Sequence, residues 1–508
     1  MAKATSMDPI RGARAPLDMP ADEFRAAGHR LVEELAVFFE TIRDRKVTTG
    51  SSVRTIRDLV GRGGLPMQGR PATALLDAVV PLVRDYSLHN GHPRFFGYIT
   101  SSAAPFGALA DLLASAMNPN VGKWDLSPVA TEIEAQTVRW LAELVGFPAT
   151  CGGVMVSGGN MANFLAFMAA RRAKVPWNVR SEGVYGDPRR LTVYASRETH
   201  TWIEKAADLS GIGTSAIRWI ATDARQRLRI EELTRLIAED RAAGCLPFLV
   251  VGTAGSVSTG AIDPLADIAA VAAEHGLWFH VDGAYGAPAA ALAEAPTELK
   301  ALERADSVAL DPHKWLYCPL EAACTLVRDR SALTDAFSYR PPYYHFDQAG
   351  DEQGNDYYEH GVQNSRGFRA LKVWLCLQHV GRAGYEQMIR DDIALARRLD
   401  EAVAAQPDLE QGTQSLSITT FRYRPAHAGT SQIWQEYLDE LNTRLLSALQ
   451  NEGECYLSNA VLDERKFLRA CIVNFRTTAA DVEALAAIVA RTGRRLDHEL
   501  RPATLSAD

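Results

Sequence analysis

Short apolar runs alternate with longer amphipathic patterns through the middle of the chain. The runs have the length of buried β-strands, and they cover residues 153–156, 191–195, 217–220, 247–251, 277–281, 307–310 and 323–327. Helical patterns lie between several of them, as at 160–172 and 264–274, and Asp263 and Pro264 are placed to cap and begin the second helix. This alternation predicts an α/β fold with a mostly parallel sheet covered by helices on both faces. In such sheets, ligands bind at the carboxyl ends of the strands.

Two amphipathic helices are predicted before this region. The first begins at about Asp22, and the second covers residues 72–86. Both carry much apolar surface for so short a segment. The sequence leaves open whether this surface packs on the main body or against a second subunit.

Composition and charge are those of an ordinary soluble protein. The 508 residues are 47% hydrophobic and 23% charged, with a net charge of −8. The absence of a long Lys/Arg run argues against nucleic acid and anionic membranes as partners. The seven cysteines are scattered without a Cys-x-x-Cys pair, which favours reduced thiols in a cytoplasm over disulfides or a zinc site. With no apolar run of membrane-spanning length, we expect a cytoplasmic protein that holds no metal.

A lysine follows the strand predicted at 307–310, in the segment Asp311-Pro312-His313-Lys314-Trp315. A lysine in partly apolar surroundings loses its proton more easily than one in water. Lys314 is therefore a candidate Schiff-base nucleophile. The alternative is a surface lysine at the start of a loop.

Other strand ends carry complementary groups. Gly159 and Asn160 form a small-residue turn into a helix, where free backbone N–H groups would suit a phosphate ester, although a turn without a ligand would use the same glycines. His200 could stack on an aromatic ring or move a proton. Asp282 ends an apolar strand and should have a cationic or hydrogen-bonded partner. Together with Lys314, these groups are the set that pyridoxal phosphate (PLP) requires.

The same segments resemble a known family. SGGNMAN, the His200 segment, HVDGAY and DPHKW, in this order and spacing, are similar to the PLP-dependent group II amino-acid decarboxylases, which include the aromatic-amino-acid, histidine and glutamate decarboxylases. The similarity also covers HPRFFGY, NSRGFRALK and VNFRTT. It implies a PLP-dependent transferase of fold type I that acts as a homodimer. The implied parts are an N-terminal helical segment (1–95), a large PLP-binding domain with a mostly parallel seven-stranded sheet (96–375), and a small C-terminal α/β domain (376–508).

The resemblance implies roles for individual residues. Lys314 would bind the cofactor as an imine, Asp282 would pair with the pyridine nitrogen, and His200 would stack on the ring and take part in catalysis. The other cofactor-binding residues implied are Gly159, Asn160, Ser256, Ala284, Asp311 and His313. Asp311 stands where the animal enzymes have asparagine, and a carboxylate there would repel the phosphate.

A polar, glycine-bearing stretch at 337–359 is predicted to form a lid or loop. In the family, a lid tyrosine protonates the carbon from which carbon dioxide has left. Tyr343 matches it, with Tyr344 one position away. Because a phenylalanine there is associated with aldehyde synthases, tyrosine favours plain decarboxylation.

The resemblance also implies a substrate pocket, formed by Tyr98, Ile99, Thr100, Ser101, Val121 and Lys123. Lys123 would accept an acidic or hydroxylated side chain or would extend to solvent. Arg366 matches a carboxylate-binding arginine of glutamate-type relatives, or is structural. An aromatic L-amino acid is favoured as the substrate. The alternatives are an acidic or other L-amino acid, an oxidative aldehyde-forming reaction on the same scaffold, and a catalytically silent dimer.

Overall fold

The computed structural model describes residues 15, 17–339 and 354–505. Its helices and strands, in chain order, are α1 (Ala21–Thr41), α2 (Val53–Val60), α3 (Ala72–Tyr86), α4 (Pro105–Met117), α5 (Pro128–Leu144), β1 (Gly152–Val156), α6 (Gly159–Lys174), α7 (Val179–Glu182), β2 (Leu191–Ser196), α8 (Trp202–Leu209), β3 (Ile217–Ile220), α9 (Ile230–Ala242), β4 (Leu246–Thr253), α10 (Leu265–His275), β5 (Trp278–Asp282), β6 (Ser307–Leu310), β7 (Ala323–Val327), α11 (Ala332–Phe337), α12 (Ala370–Ala404), β8 (Leu409–Ser415), β9 (Ile418–Tyr423), α13 (Gln432–Glu452), β10 (Ser458–Leu462), β11 (Arg465–Cys471) and α14 (Ala479–Leu500).

The larger sheet contains seven strands in the order β1-β7-β6-β5-β4-β2-β3. All neighbouring pairs are parallel except those of β7, which runs antiparallel to β1 and β6. Each predicted strand is present, and the mostly parallel α/β fold is confirmed. The middle strands are buried on both faces, where two separate clusters of apolar side chains cover them. This burial explains why they appear in the sequence as continuous apolar runs.

Two details at the carboxyl ends of the strands differ from the sequence prediction. Strand β4 continues to Thr253, two residues beyond the predicted end. Asp263 does not cap α10, because its carboxylate accepts the backbone N–H groups of Leu228 and Thr253 at 2.7 and 2.8 Å. Pro264 is the N-cap of this helix rather than its first residue. Asp263 therefore fixes the end of β4 at the carboxyl edge of the sheet.

A smaller antiparallel sheet, in the order β10-β11-β9-β8, forms the C-terminal α/β part. Helices α13 and α14 pack on it around a core of their own. Helix α12 connects the two parts: Ala370 and Val373 belong to the core of the large sheet, and Leu399 and Val403 to that of the small one. It is interrupted at Gly381, where φ is 69° and ψ is 165°. The borders predicted at 95/96 and 375/376 remain predictions.

The N-terminal helices bury little within one chain. None of the residues of α1, α2 and α3 is fully buried. Phe24, Val83 and Leu109 on α1, α3 and α4 are each more than half exposed. The single chain therefore leaves a broad apolar surface uncovered. Within the described residues, no helix combines the length and the apolar character needed to cross a bilayer.

Candidate active site

A cavity of about 650 Å³ opens at the carboxyl ends of β1, β4, β5 and β6. The small sheet closes one side of it through Ser458, Asn459 and Arg469. The cavity brings together most of the cofactor-binding residues predicted from the sequence, namely Gly159, Asn160, His200, Asp282, Ala284, Asp311, His313 and Lys314. Their convergence follows from the parallel sheet, in which consecutive strands end at the same edge.

The glycine turn begins helix α6 directly at the cavity. The first N–H groups of a helix have no acceptor within the helix, so those of Gly159 and Asn160 are available to an anion. A Cβ atom on Gly159 would lie 2.7 Å from Oδ2 of Asp311, which is too close. The Gly159 carbonyl accepts a hydrogen bond of 2.8 Å from Asn163. The turn thus needs glycine, and it is held in place from within the helix.

A buried hydrogen-bond chain supports this turn. Asn163 Oδ1 lies 2.6 Å from Nε2 of His280, and His280 Nδ1 lies 2.8 Å from the hydroxyl of Ser307. Burial lowers the pKa of His280 to about 4, so the ring is neutral. The chain connects strands β5 and β6 to the start of α6, and it was not predicted from sequence.

Asp282 is a buried carboxylate whose two oxygens both accept hydrogen bonds. The indole Nε1 of Trp202 donates to Oδ2 at 2.8 Å, and the backbone N–H of Ala284 donates to Oδ1 at 3.2 Å. These donors are the partners that the sequence required for Asp282. His200, two residues before Trp202, lines the same cavity, and burial lowers the pKa of its imidazole. Trp202 was not predicted as a site residue.

Lys314 forms an ion pair with Asp311, whose Oδ2 lies 3.0 Å from Nζ. Burial lowers the pKa of Lys314, but the carboxylates of Asp311 and Asp282 outweigh burial, so that the pKa is raised overall. The prediction that Lys314 loses its proton easily is therefore wrong for this state of the protein. The other oxygen of Asp311, Oδ1, is buried without a hydrogen-bond partner among the described residues.

Ser256 does not face the cavity. Its hydroxyl is buried and lies 2.9 Å from that of Thr259. The hydroxyl-bearing residues of this loop that line the cavity are Thr253 and Ser258. Thr253 Oγ1 has no hydrogen-bond partner in the described part of the chain. The position of Ser256 therefore does not support the hydroxyl role predicted for it, whereas Thr253 and Ser258 lie at the cavity.

The predicted substrate residues separate into two groups. Tyr98 and Ile99 line the cavity, as does Thr100. Ser101 instead donates to the carbonyl of His313 at 2.9 Å and so supports the lysine segment. Val121 and Lys123 are not part of the lining within this chain. Val121 is fully buried, and Lys123 Nζ lies 2.5 Å from Asp125.

Arg366 is a structural residue here, and its prediction as a substrate-binding residue is wrong for this chain. Its guanidinium lies 2.6 Å from the buried Glu134 carboxylate and donates to the carbonyls of Val121 and Met155 at 2.7 Å. The side chain is 3% exposed. Glu134 thus neutralises the charge of Arg366, and Arg366 does not line the cavity.

Arg469, which was not predicted from sequence, supplies a cation to the cavity from strand β11. It is 3% exposed, and it donates to the carbonyl of Val257 through Nη1. Its Nε–H is buried without a partner among the described residues. Burial lowers the pKa of this arginine. In the sequence, Arg469 is a charged residue inside the otherwise apolar run Phe467–Cys471. Such an apolar run indicates a buried strand, so this arginine is predicted to be buried as well.

Tyr343 and the neighbouring Tyr344 lie outside the described residues, so the lid assignment stays a prediction. The groups that are described fit PLP. The start of α6 offers N–H donors for a phosphate, Asp282 offers a buried carboxylate for a protonated ring nitrogen, and Lys314 offers the amine.

Comparisons with known proteins agree with this fit. Residues 65–424 match the model of the pyridoxal-dependent decarboxylase conserved domain. The chain is 32% identical to an aromatic-L-amino-acid decarboxylase of Bacillus atrophaeus, over 92% of this chain and 94% of that protein. It is 31% identical to a phenylacetaldehyde synthase of Petunia hybrida, over 89% and 90% of the two chains.

The crystal structure of Oryza sativa TDC with PLP and tryptamine has the same fold, with a TM-score of 0.87 at 29% identity, and the match covers 95% of this chain and all of that one. The chain belongs to the pyridoxal-dependent decarboxylase family, and it is an amino-acid decarboxylase that depends on PLP.

Proposed function

We propose that the enzyme converts an aromatic L-amino acid into its amine and carbon dioxide. The observation that carries this proposal is the small number of cationic side chains that line the cavity. Among the described lining residues, Lys314 and Arg469 are the only lysine or arginine, and Lys314 is paired with Asp311. One carboxylate of a substrate can therefore be matched by Arg469. An acidic amino acid would bring a second carboxylate with no separate partner.

The aromatic ring of Tyr98 is exposed at the cavity and packs on aromatic neighbours behind it. Tyr98 lines the cavity and is 54% exposed, and its ring centroid lies 6.1 Å from that of Tyr456. Tyr456 in turn stacks on Phe95 at 5.5 Å. An exposed aromatic face such as that of Tyr98 favours a flat, apolar substrate side chain. The relative from Bacillus atrophaeus, which is named for aromatic L-amino acids, supports the same substrate class.

Each residue of the cavity would have a separate role in the reaction. Bound PLP supplies an electron sink for the bond that breaks. Asp282, fixed by Trp202, would keep a proton on the ring nitrogen, while Lys314 would hold the cofactor until the substrate amine replaces it. Arg469 would orient the substrate carboxylate. His200 would stack on the ring, and Tyr343 remains the predicted proton donor, with Tyr344 as the alternative.

We also propose a cytoplasmic homodimer with the three-part division at 1–95, 96–375 and 376–508. The apolar faces of α1, α3 and α4, which a single chain leaves exposed, support a second copy as their partner. An aldehyde-forming reaction is the second candidate, because the Petunia hybrida relative is a phenylacetaldehyde synthase.

A panel of L-amino acids tests the substrate and the reaction together. The holoenzyme is incubated with aromatic, acidic and aliphatic amino acids, and carbon dioxide, amine, ammonia and hydrogen peroxide are measured. We expect carbon dioxide and amine in equal amounts from an aromatic substrate. Preferred turnover of glutamate or aspartate would contradict the substrate class, and peroxide with ammonia would indicate the aldehyde-forming reaction.

A further inference from the structure

Asp392 lies behind the lysine segment and outside the cavity lining. It belongs to the part of α12 that follows the interruption at Gly381, and it is 2% exposed. Its Oδ2 accepts the indole N–H of Trp315 at 2.9 Å and the hydroxyl of Tyr317 at 2.7 Å. Trp315 directly follows Lys314 in the chain. One carboxylate oxygen therefore holds two side chains of the segment that carries the reactive lysine.

The same carboxylate also contacts the C-terminal part of the chain. The backbone N–H of Asn474, just after β11, faces the carboxylate and lowers the pKa of Asp392. A parallel connection runs through Tyr285, whose ring stacks on Trp315 at 4.9 Å and whose hydroxyl lies 2.6 Å from that of Ser417. Asp392 thus joins the lysine segment to the small sheet, which also supplies Arg469 to the cavity.

No cation neutralises Asp392 among the described groups that act on it. The titratable groups facing it are Tyr317, Tyr285, Cys471 and the neighbouring Asp391. Burial raises the pKa of Asp392 to about 7. Protonation would turn one oxygen of Asp392 into an O–H donor and remove the charge, so the hydrogen bonds from Trp315 and Tyr317 would lose the extra strength that an ionised acceptor gives them.

We propose that Asp392 is a positioning residue for Lys314, and that its ionised carboxylate holds the Trp315–Tyr317 segment against the small domain. When the carboxylate is protonated, this attachment loosens and Lys314 holds the cofactor less firmly. Because the ionised fraction of a group with this pKa changes about tenfold between pH 6 and pH 8, the enzyme would release PLP faster at the lower pH. The inference does not depend on which amino acid is the substrate.

Asp392→Asn tests the proposal. Asparagine keeps an oxygen acceptor for Trp315 and Tyr317 but never carries a charge. The matched control is Asp391→Asn, which removes the same charge from the neighbouring, solvent-exposed position. PLP release from each holoenzyme is followed by absorbance, with an excess of a competing apoenzyme as trap, between pH 5.5 and pH 8.5.

We expect release from the parent and from Asp391→Asn to be up to about tenfold faster at pH 6 than at pH 8. Release from Asp392→Asn should be fast and nearly constant over this range. A pH profile of Asp392→Asn that runs parallel to the parent profile would overturn the proposal.

Thermal unfolding gives a second readout that a packing defect would not mimic. The pKa of Asp392 is higher in the folded protein than its ordinary value of 3.8. Its contribution to stability is therefore complete below about pH 4 and is lost as the pH rises through about 7. Asp392→Asn should unfold at a higher temperature than the parent at pH 8, and this advantage should disappear toward pH 5.

If Asp392→Asn does not fold, Trp315→Phe replaces it. This variant keeps an aromatic ring against Tyr285 but removes the indole donor to Asp392. We expect it to release PLP faster than the parent at pH 8. An unchanged release rate at pH 8 would contradict a positioning role.

Discussion

Nζ of Lys314 lies 3.0 Å from Oδ2 of Asp311, and the Asp311 side chain is 1% exposed. The pair keeps the lysine protonated, although its surroundings are buried. An amine must be neutral to act as a nucleophile, so this ion pair would slow the capture of PLP by Lys314.

Asp311→Asn should therefore speed cofactor capture by the apoenzyme. Without the carboxylate of Asp311, the pKa of Lys314 falls, because only Asp282, of the two carboxylates that raise it, then opposes burial. Each unit of that fall raises the neutral fraction about tenfold. The rate should increase at pH 8, and the pH at which it levels off should decrease. Stopped-flow absorbance after mixing apoenzyme with PLP measures both.

The control for this change is Asp111→Asn. Asp111 Oδ2 also lies 3.0 Å from a lysine Nζ, that of Lys372, which does not line the cavity. Its capture rate should equal that of the parent. Equal or slower capture by Asp311→Asn would show that the ion pair does not limit the amine.

Trp202→Phe should weaken the binding of PLP, because Trp202 positions Asp282. The indole N–H is a direct donor to Asp282, at 2.8 Å, and a hydrogen bond to a charged group contributes about 1.5–3 kcal/mol. We expect a destabilised protein that binds PLP less tightly in equilibrium titrations of the apoenzyme.

Trp374→Phe is the comparison for this variant. Trp374 also donates from Nε1, at 2.7 Å, but to the neutral side-chain amide of Gln136, and neither residue lines the cavity. Its loss should cost about 0.5–1.5 kcal/mol of stability and leave PLP affinity unchanged. Equal PLP affinities of the two variants would mean that the Trp202 contact does not serve the cofactor.

Arg469→Met should raise KM for the amino acid much more than it lowers kcat. Removing one partner of a buried charge pair costs at least about 2 kcal/mol, or roughly 30-fold in affinity. Steady-state kinetics on the best substrate of the panel measures both constants. Arg465→Met removes an exposed arginine from the same strand and should leave both unchanged. If KM of Arg469→Met stays at the parent value, Arg469 does not bind the substrate carboxylate.

The sequence was sufficient to predict the sheet and most of the cofactor residues because both depend on local patterns. The strands appear as apolar runs, and Gly159, Asp282 and Lys314 stand immediately beyond or at their ends. The family resemblance predicted Ser256 as the hydroxyl near the cofactor, whereas Thr253, at the end of β4, and Ser258 line the cavity.

Other features depend on contacts between distant parts of the chain. Arg366 meets Glu134 across 232 positions, and this contact removes it from the substrate pocket. Arg469 and Trp202 enter the site only because the fold brings their elements to the end of β5. The pKa of Lys314 is raised because the carboxylates of Asp311 and Asp282 outweigh the effect of burial. Asp282 is distant in the sequence, so the residues next to Lys314 do not predict this result.

The interruption at Gly381 divides α12 into two halves. The first packs in the core of the large sheet, and the second packs in the core of the small sheet. The backbone there has φ of 69° and ψ of 165°, a region that only glycine occupies readily. A Cβ atom at this position would meet no described neighbour within 4 Å, so any other residue would be disfavoured by the backbone alone. A side chain at this position would strain the backbone, and relief of that strain would change the angle between the two halves of α12, the second of which carries Asp392. The backbone at Gly381 thus sets the direction of the half-helix whose Asp392 accepts a hydrogen bond from Trp315, the residue next to Lys314.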